Sequence, residues 1–138
     1  NDDIFFDYRN FVRHWKLYIE TRFNENEPDT AKSHTNIFYR PRYYMENFLD
    51  KEGRLGGSGY SLTIIAYNAI LDCDGKWEKL VFYSILIPGD HDTLGSVSCG
   101  LYGAVYGFGD VPKNNYEYVE QKDTLIKYGK QIFEKYYK

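Results

Sequence analysis

Nowhere in this 138-residue chain does charge of one sign accumulate: its 17 basic and 20 acidic residues run through the whole length, for a net charge of -3. With no basic stripe to displace counterions, nucleic acid is not expected as a partner. Cysteine is equally scarce. Cys73 and Cys99 stand alone, without a C-x-x-C or a Cys/His cluster. This argues against a disulfide scaffold or structural zinc and makes a reduced, cytoplasmic setting the expectation. No apolar run is long enough to span a membrane, so no membrane partner is expected. The opening "NDDIFFDYRN" has neither the basic nor the apolar region of a signal peptide, and a start at Asn1 without Met is what a processed or trimmed chain would show.

What the chain has in quantity is aromatic residues, with 15 Tyr and 9 Phe inside a 43% hydrophobic composition. Large side chains at that density offset the entropy of folding, and the length fits one domain over residues 1–138. The apolar spacing is helical. Phe11, Trp15, Tyr18 and Ile19 line one face of 7–23, and Pro28 sits in a polar loop over 24–36. A short helix is expected after Pro41. Then Gly53, Gly56, Gly57 and Gly59 interrupt regular structure. Ser61 is placed to cap a helix over 62–71, and Asp74 with Gly75 to open another over 76–87, with Trp77, Leu80, Val81, Ser84 and Ile85 on one face. Asp92 or Thr93 caps a third over 94–106, and Leu125, Tyr128, Ile132, Phe133 and Tyr136 recur at helical spacing over 122–138. "LVFYSILI" alone would pass for a buried strand, but no alternating pattern supports a sheet. The expected fold is all-α.

The stretch with the most chemistry is "PGDHDTLGSVSCGLYGAVYG", Pro88 to Gly107. Two carboxylates at i and i+2 and a hydroxyl at i+3, from Asp90, Asp92 and Thr93, offer only hard oxygen ligands, suited to Mg²⁺, Mn²⁺ or Ca²⁺. The alternative is that one aspartate simply caps the next helix. His91 between them reads as solvent-facing, because hard-metal sites seldom use imidazole. Behind the motif Ser96, Gly100, Gly103 and Gly107 form a smooth stripe, expected to pack tightly against another helix, since glycine in a helix costs up to about 1 kcal/mol relative to alanine. The "DCDG" pair, Asp72 and Asp74, lacks calcium-loop spacing and reads as helix capping. Trp15 and Trp77 read as core anchors.

"GDHDTLGSVSCGLYGAVYG" resembles the C-terminal signature of the ADP-ribosylglycohydrolase family, in which G-D-x-D-[TS] precedes a small-residue helix. "HWKLYIETR", "GGSGYSLTIIAYNAIL", "KWEKLVFYSILIPGDHDT" and "YGFGDVPKNNYEYVE" resemble, in the same order, segments of its ADP-ribosylarginine hydrolase branch. The resemblance implies the C-terminal portion of an all-α hydrolase with a binuclear Mg²⁺ centre, cleaving the N-glycosidic bond between ADP-ribose and arginine on modified proteins. It puts Asp90, Asp92 and Thr93 at metal-ligand positions, with Asp90 and Asp92 also steering the attacking water. Gly57, Ser58, Gly59, Tyr60 and Ser61 fall on a segment that lies against ADP-ribose, with Tyr44, Phe48 or Tyr60 the nearest candidates to stack on adenine. That branch tends to carry His and an acidic residue where this chain has Tyr60 and Ser61.

The resemblance also implies a partner. The family's remaining ligands sit in an N-terminal Thr-Asp-Asp motif, absent from this chain; Asp2 and Asp3 lack the preceding Thr. The charge count points the same way: two Mg²⁺ ions carry four positive charges and Asp90 with Asp92 return two. A complete site therefore needs the protein's own N-terminal portion, beside an ADP-ribosylated protein or ADP-ribose as substrate. Two other readings remain open, a non-catalytic ADP-ribose-binding module and a calcium-stabilised helical domain.

Overall fold

The computed structural model describes residues 8–23 and 36–137. Among these residues six α-helices follow one another: α1 (Tyr8–Arg22), α2 (Tyr39–Asn47), α3 (Gly59–Asp72), α4 (Trp77–Ser84), α5 (His91–Tyr106) and α6 (Lys122–Tyr136), with a 3₁₀ turn at Lys113–Asn115. Among the described residues there is no strand, and the fold is all-α as expected. The apolar "LVFYSILI" run finishes α4 and continues as irregular chain. Nearly all of the 24–36 loop, together with Asp7 and Lys138, lies outside the described residues. No helix among them is long and apolar enough to cross a membrane.

Helix α3 is the central element. It is apolar on more than one face, burying Ile64, Ile65, Ala66 and Ala69, so it must be covered from several sides. Helices α5, α4 and α1 cover it. One core cluster joins Tyr18, Tyr44, Phe48, Leu55, Ile64, Ile65, Ile87 and Leu94; the second joins Ala69, Cys73, Leu80, Tyr83 and Tyr102. Each fully buried large side chain contributes about 1.5–3 kcal/mol, which is what holds short helices that would be marginal alone. Trp15 packs against the first cluster and Trp77 against the second, as anchors.

A chain of polar contacts runs through this core. Tyr18 donates to Asn68 Oδ1 at 2.9 Å, Asn68 Nδ2 donates to the Tyr44 hydroxyl at 2.6 Å, and Arg40 Nη1 donates to the same hydroxyl at 3.0 Å. Arg40 and Arg22 both pair with Asp72, and the Arg40 guanidinium lies 4.0 Å over the Tyr83 ring. Burial pushes the Tyr18 and Tyr44 phenols up, so both stay neutral hydrogen-bonding groups. Asp72 is thus a hub of buried ion pairs and not a cap, which its isolated spacing could not reveal. Asp74 takes φ +53° in the turn between α3 and α4.

Several boundaries differ from expectation. Ser58, not Ser61, caps α3, accepting from the Ser61 N–H at 3.3 Å; Lys76 precedes α4, which ends at Ser84; Asp90, not Asp92 or Thr93, caps α5. Helix α2 begins before Pro41, which lies in its first turn, where its missing N–H costs nothing. Along α4 the buried residues are Leu80, Tyr83 and Ser84. Helix α6 buries none of its residues.

Candidate functional site

The two segments singled out in sequence meet. The backbone N–H of Asp90 donates to the carbonyl of Leu55 at 2.9 Å, tying the turn before α5 to the loop before α3. Leu55 is almost fully buried, so its side chain plugs the core while its carbonyl fixes Asp90. The approach requires glycine on both sides. Gly89 has φ +132°, and a Cβ there would overlap the Leu55 carbonyl and lie 2.9 Å from Leu55 Cβ. Gly56 has φ +79°, and a Cβ there would lie 2.8 Å from Leu94 Cγ and 3.4 Å from Asp90 Cβ.

At the start of α5 the two aspartates divide their work. The Asp90 side chain accepts the Thr93 N–H at 3.4 Å as the helix cap, and Asp92 Oδ1 accepts it at 2.9 Å. Asp90 is held below the ordinary carboxylate range, first by a hydrogen bond with the Asp92 side chain, next by one from the Thr93 side chain, and further by the positive charge of Arg54. Both carboxylates thus reach the same backbone N–H, at the start of α5. Asp92 and His91 are exposed, His91 as expected.

The glycine-rich segment is braced from the other side. Asp50 Oδ1 accepts the N–H groups of Glu52 at 2.9 Å and Arg54 at 2.8 Å, holding its carboxyl below the usual range. A Cβ on Gly57 would come within 2.5 Å of Asp50 Oδ2. Arg54 pairs with Asp50 and Glu52. Ser61 is buried, and its Oγ accepts the Gly56 N–H at 2.8 Å, so its place is to shape the loop from within. Gly57, Ser58 and Tyr60 line a cleft of about 240 Å³ with Asn10, Asp50 and Arg54, and Gly59 opens α3 beside it with an exposed backbone.

Of the aromatic candidates, Tyr44 and Phe48 are fully buried in the core and present no face to a ligand. Tyr60 remains at the cleft, stacked on His14 with ring centroids 3.9 Å apart and donating to the Leu49 carbonyl at 2.8 Å. Asp50, Arg54 and the Leu55 carbonyl were not picked out in sequence. "DKEG" does carry a signal for Asp50, since Asp two residues ahead of a free N–H is the signature of an Asx turn. No sequence signal marks a carbonyl.

The small-residue stripe of α5 does not pack as expected. Gly95 is the closely packed glycine, with Ile85 Cγ1 3.4 Å from where its Cβ would stand, whereas Gly100 and Gly103 meet nothing within 4 Å among the described residues. Gly107 ends the helix with φ +63°.

The family model of ADP-ribosylglycohydrolase matches residues 9–138. The ADP-ribosylhydrolase ARH1 of Dictyostelium discoideum is 34% identical over 134 residues, covering 88% of this chain and 34% of that protein. An Acanthamoeba polyphaga mimivirus protein, named as an ADP-ribosyl glycohydrolase, is 35% identical over 122 residues, 88% of this chain and 23% of its own. No solved structure matches. The chain thus spans about a third or less of the length of these relatives. A match across almost the whole chain, joined to the meeting of the Asp90 turn with the glycine-rich loop, places it in the ADP-ribosylglycohydrolase family.

Proposed function

We propose that this chain carries one side of the active site of a hydrolase that cleaves the N-glycosidic bond between ADP-ribose and arginine on modified proteins. The observation that carries the reading is the pair Asp90 and Asp92, both accepting the Thr93 N–H, in a turn hydrogen-bonded to the glycine-rich loop through Leu55. Family membership supports glycoside hydrolysis; the arginine linkage rests on the resemblance to one branch.

The donor set fits half of a binuclear Mg²⁺ centre. All three groups offer hard oxygen, yet among the described residues no three His, Cys, Asp or Glu side chains gather closely enough to hold an ion. The remaining ligands and the general base would come from outside residues 1–138. When bound, the Mg²⁺ pair would supply Lewis-acid polarisation at the ribose hydroxyls and the attacking water. The chain's own residues orient the reactants: Asp90, fixed by Leu55, and Asp92, on an exposed helix face, direct the water toward the anomeric carbon. The backbone of Gly57, Ser58 and Gly59, with Tyr60 at the rim, faces the ribose or phosphates of an ADP-ribosylated protein or of ADP-ribose.

The test is Asp92→Asn in a protein that carries the complementary ligands, followed by Mg²⁺ titration calorimetry and release of ADP-ribose from an arginine-linked substrate. Because Asp90 is the cap, Asn at 92 leaves the helix start intact, and stability without Mg²⁺ should move by only a few tenths of a kcal/mol. Mg²⁺ affinity and turnover should fall at least about tenfold. Full turnover at saturating Mg²⁺ would end the metal reading, and tight ADP-ribose binding without hydrolysis in the unaltered protein would leave a non-catalytic binding module.

A further inference from the structure

The turn that braces the glycine-rich loop is held by its main chain and not by its arginine. The Asp50 N–H donates to the Arg54 carbonyl at 2.9 Å, the Gly53 N–H to the Asp50 carbonyl at 3.1 Å, and Asp50 Oδ1 accepts the Glu52 and Arg54 N–H groups at 2.9 and 2.8 Å. The Arg54 guanidinium takes no part in this closure. It is 59% exposed, and its partner Glu52 is 67% exposed, so the pair adds little to stability. Donors remain to spare: Nε stands 3.6 Å from Asp50 Oδ2, beyond hydrogen-bond length, and Nη1 has no partner among the described residues. Gly57 makes room for the side chain. A Cβ there would lie 2.5 Å from Asp50 Oδ2 and 3.6 and 3.7 Å from Arg54 Nη2 and Nε, so the guanidinium rests against bare backbone at the cleft.

We propose that Arg54 binds the diphosphate of the ADP-ribosyl group and so selects a substrate that carries one. The inference rests on the hydrolase reading above and gives a role to a side chain that reading leaves unused. Arg54 lines the cleft of about 240 Å³ with Gly57, Ser58 and Tyr60, and its positive charge is felt at Asp90, so it stands within reach of both halves of the candidate site. A diphosphate brings two negative charges. The cations among the described lining residues are Lys51 and Arg54, and of these only Arg54 presents a planar fork matched to phosphate oxygens. The closed turn before it and the buried Leu55 after it fix the base from which the fork extends. Helix α3 opens at the same cleft, and the positive end of its dipole favours an anion there. Asp50 is occupied by the two N–H groups it accepts, which leaves exposed Glu52 as the competitor that a phosphate must displace or share the fork with.

The test is the affinity of ADP-ribose in the presence of Mg²⁺, by titration calorimetry on the whole gene product with Arg54→Met, Arg54→Lys and Glu52→Gln. Arg54→Met should weaken binding at least about tenfold, and Arg54→Lys by less, since a point charge replaces the fork. With an arginine-linked substrate, Arg54→Met should raise KM more than it lowers kcat, because the diphosphate keeps its charge throughout the reaction. Glu52→Gln separates binding from bracing. Freed of its competitor, Arg54 should hold ADP-ribose about twofold to fivefold more tightly, whereas an arginine that only braces the loop through Glu52 would lose its hold. Affinity in Glu52→Gln equal to or below that of the unaltered protein overturns the proposal, as does unchanged affinity in Arg54→Met. Binding that depends on Arg54 in a protein without hydrolysis would keep the residue's role and remove the proposed activity. Hydrolysis with KM and kcat unaltered in Arg54→Met would do the reverse, and an unaltered protein that binds no ADP-ribose would end both.

Discussion

The Asp90 N–H and the Leu55 carbonyl, 2.9 Å apart, join the candidate ligand turn to the glycine-rich loop through one hydrogen bond that only a glycine at position 89 permits. The position of the Asp90 carboxylate is therefore set by the core, because Leu55 cannot move without opening the cluster that contains Ile64, Ile87 and Leu94.

Gly89→Ala should be among the most damaging small substitutions in the chain. The backbone sits at φ +132°, and the added methyl would overlap the Leu55 carbonyl. Strain of about 1–3 kcal/mol before any clash should lower the melting temperature by roughly 5–10 °C. Thermal unfolding followed by circular dichroism checks this, and an unchanged melting point would show that the turn is not constrained.

Asp72→Ala should cost about 3–5 kcal/mol, since it strands the fully buried Arg40 beside Tyr44 and Tyr83. Replacing Arg40→Met together with Asp72→Leu should recover most of that loss, because the double change removes the fully buried charge of Arg40 with its partner, while the Arg22 side chain keeps some access to solvent. Urea unfolding of the single and double variants separates the two effects. If the double variant is no more stable than Asp72→Ala, the loss comes from packing and not from an uncompensated charge.

Acid should unfold the chain through carboxylates that the fold holds below their ordinary value of 3.8, including Asp50 and Asp110. Asp110 accepts the Trp77 N–H at 2.7 Å and the Tyr102 hydroxyl at 2.7 Å, so it fastens the start of α4 to the end of α5. With folded values depressed, the stability these groups give is complete above the unfolded value and disappears as pH falls through the folded ones. The urea midpoint should therefore drop as pH falls below about 4, less steeply in Asp110→Asn. A wild-type midpoint flat across that range contradicts the assignment.

Residues 1–138 by themselves should neither bind Mg²⁺ tightly nor release ADP-ribose from modified arginine, because Asp90 and Asp92 offset only two of the four charges of an ion pair. Chromatographic assay of product, with and without Mg²⁺, tests this; metal-dependent turnover by the purified chain would mean that the site is complete within it.

Local pattern alone determined the helices, since a 3.6-residue apolar period survives whatever packs against it, and it picked out G-D-x-D-T as the candidate ligand string, since hard oxygen donors can be read residue by residue. Trp15 and Trp77 were likewise legible as anchors. The caps moved by a few residues, to Ser58 and Asp90, because several polar side chains stood near each helix start and only backbone geometry chose among them. Tertiary structure alone decided the rest. Asp72 became an ion-pair hub because Arg22 and Arg40, from two other helices, were folded onto it, and Tyr44 and Phe48 left the list of ligand-facing rings because the core closed over them. The same closure brought the Leu55 carbonyl to Asp90, a contact between residues 35 positions apart that no local periodicity encodes.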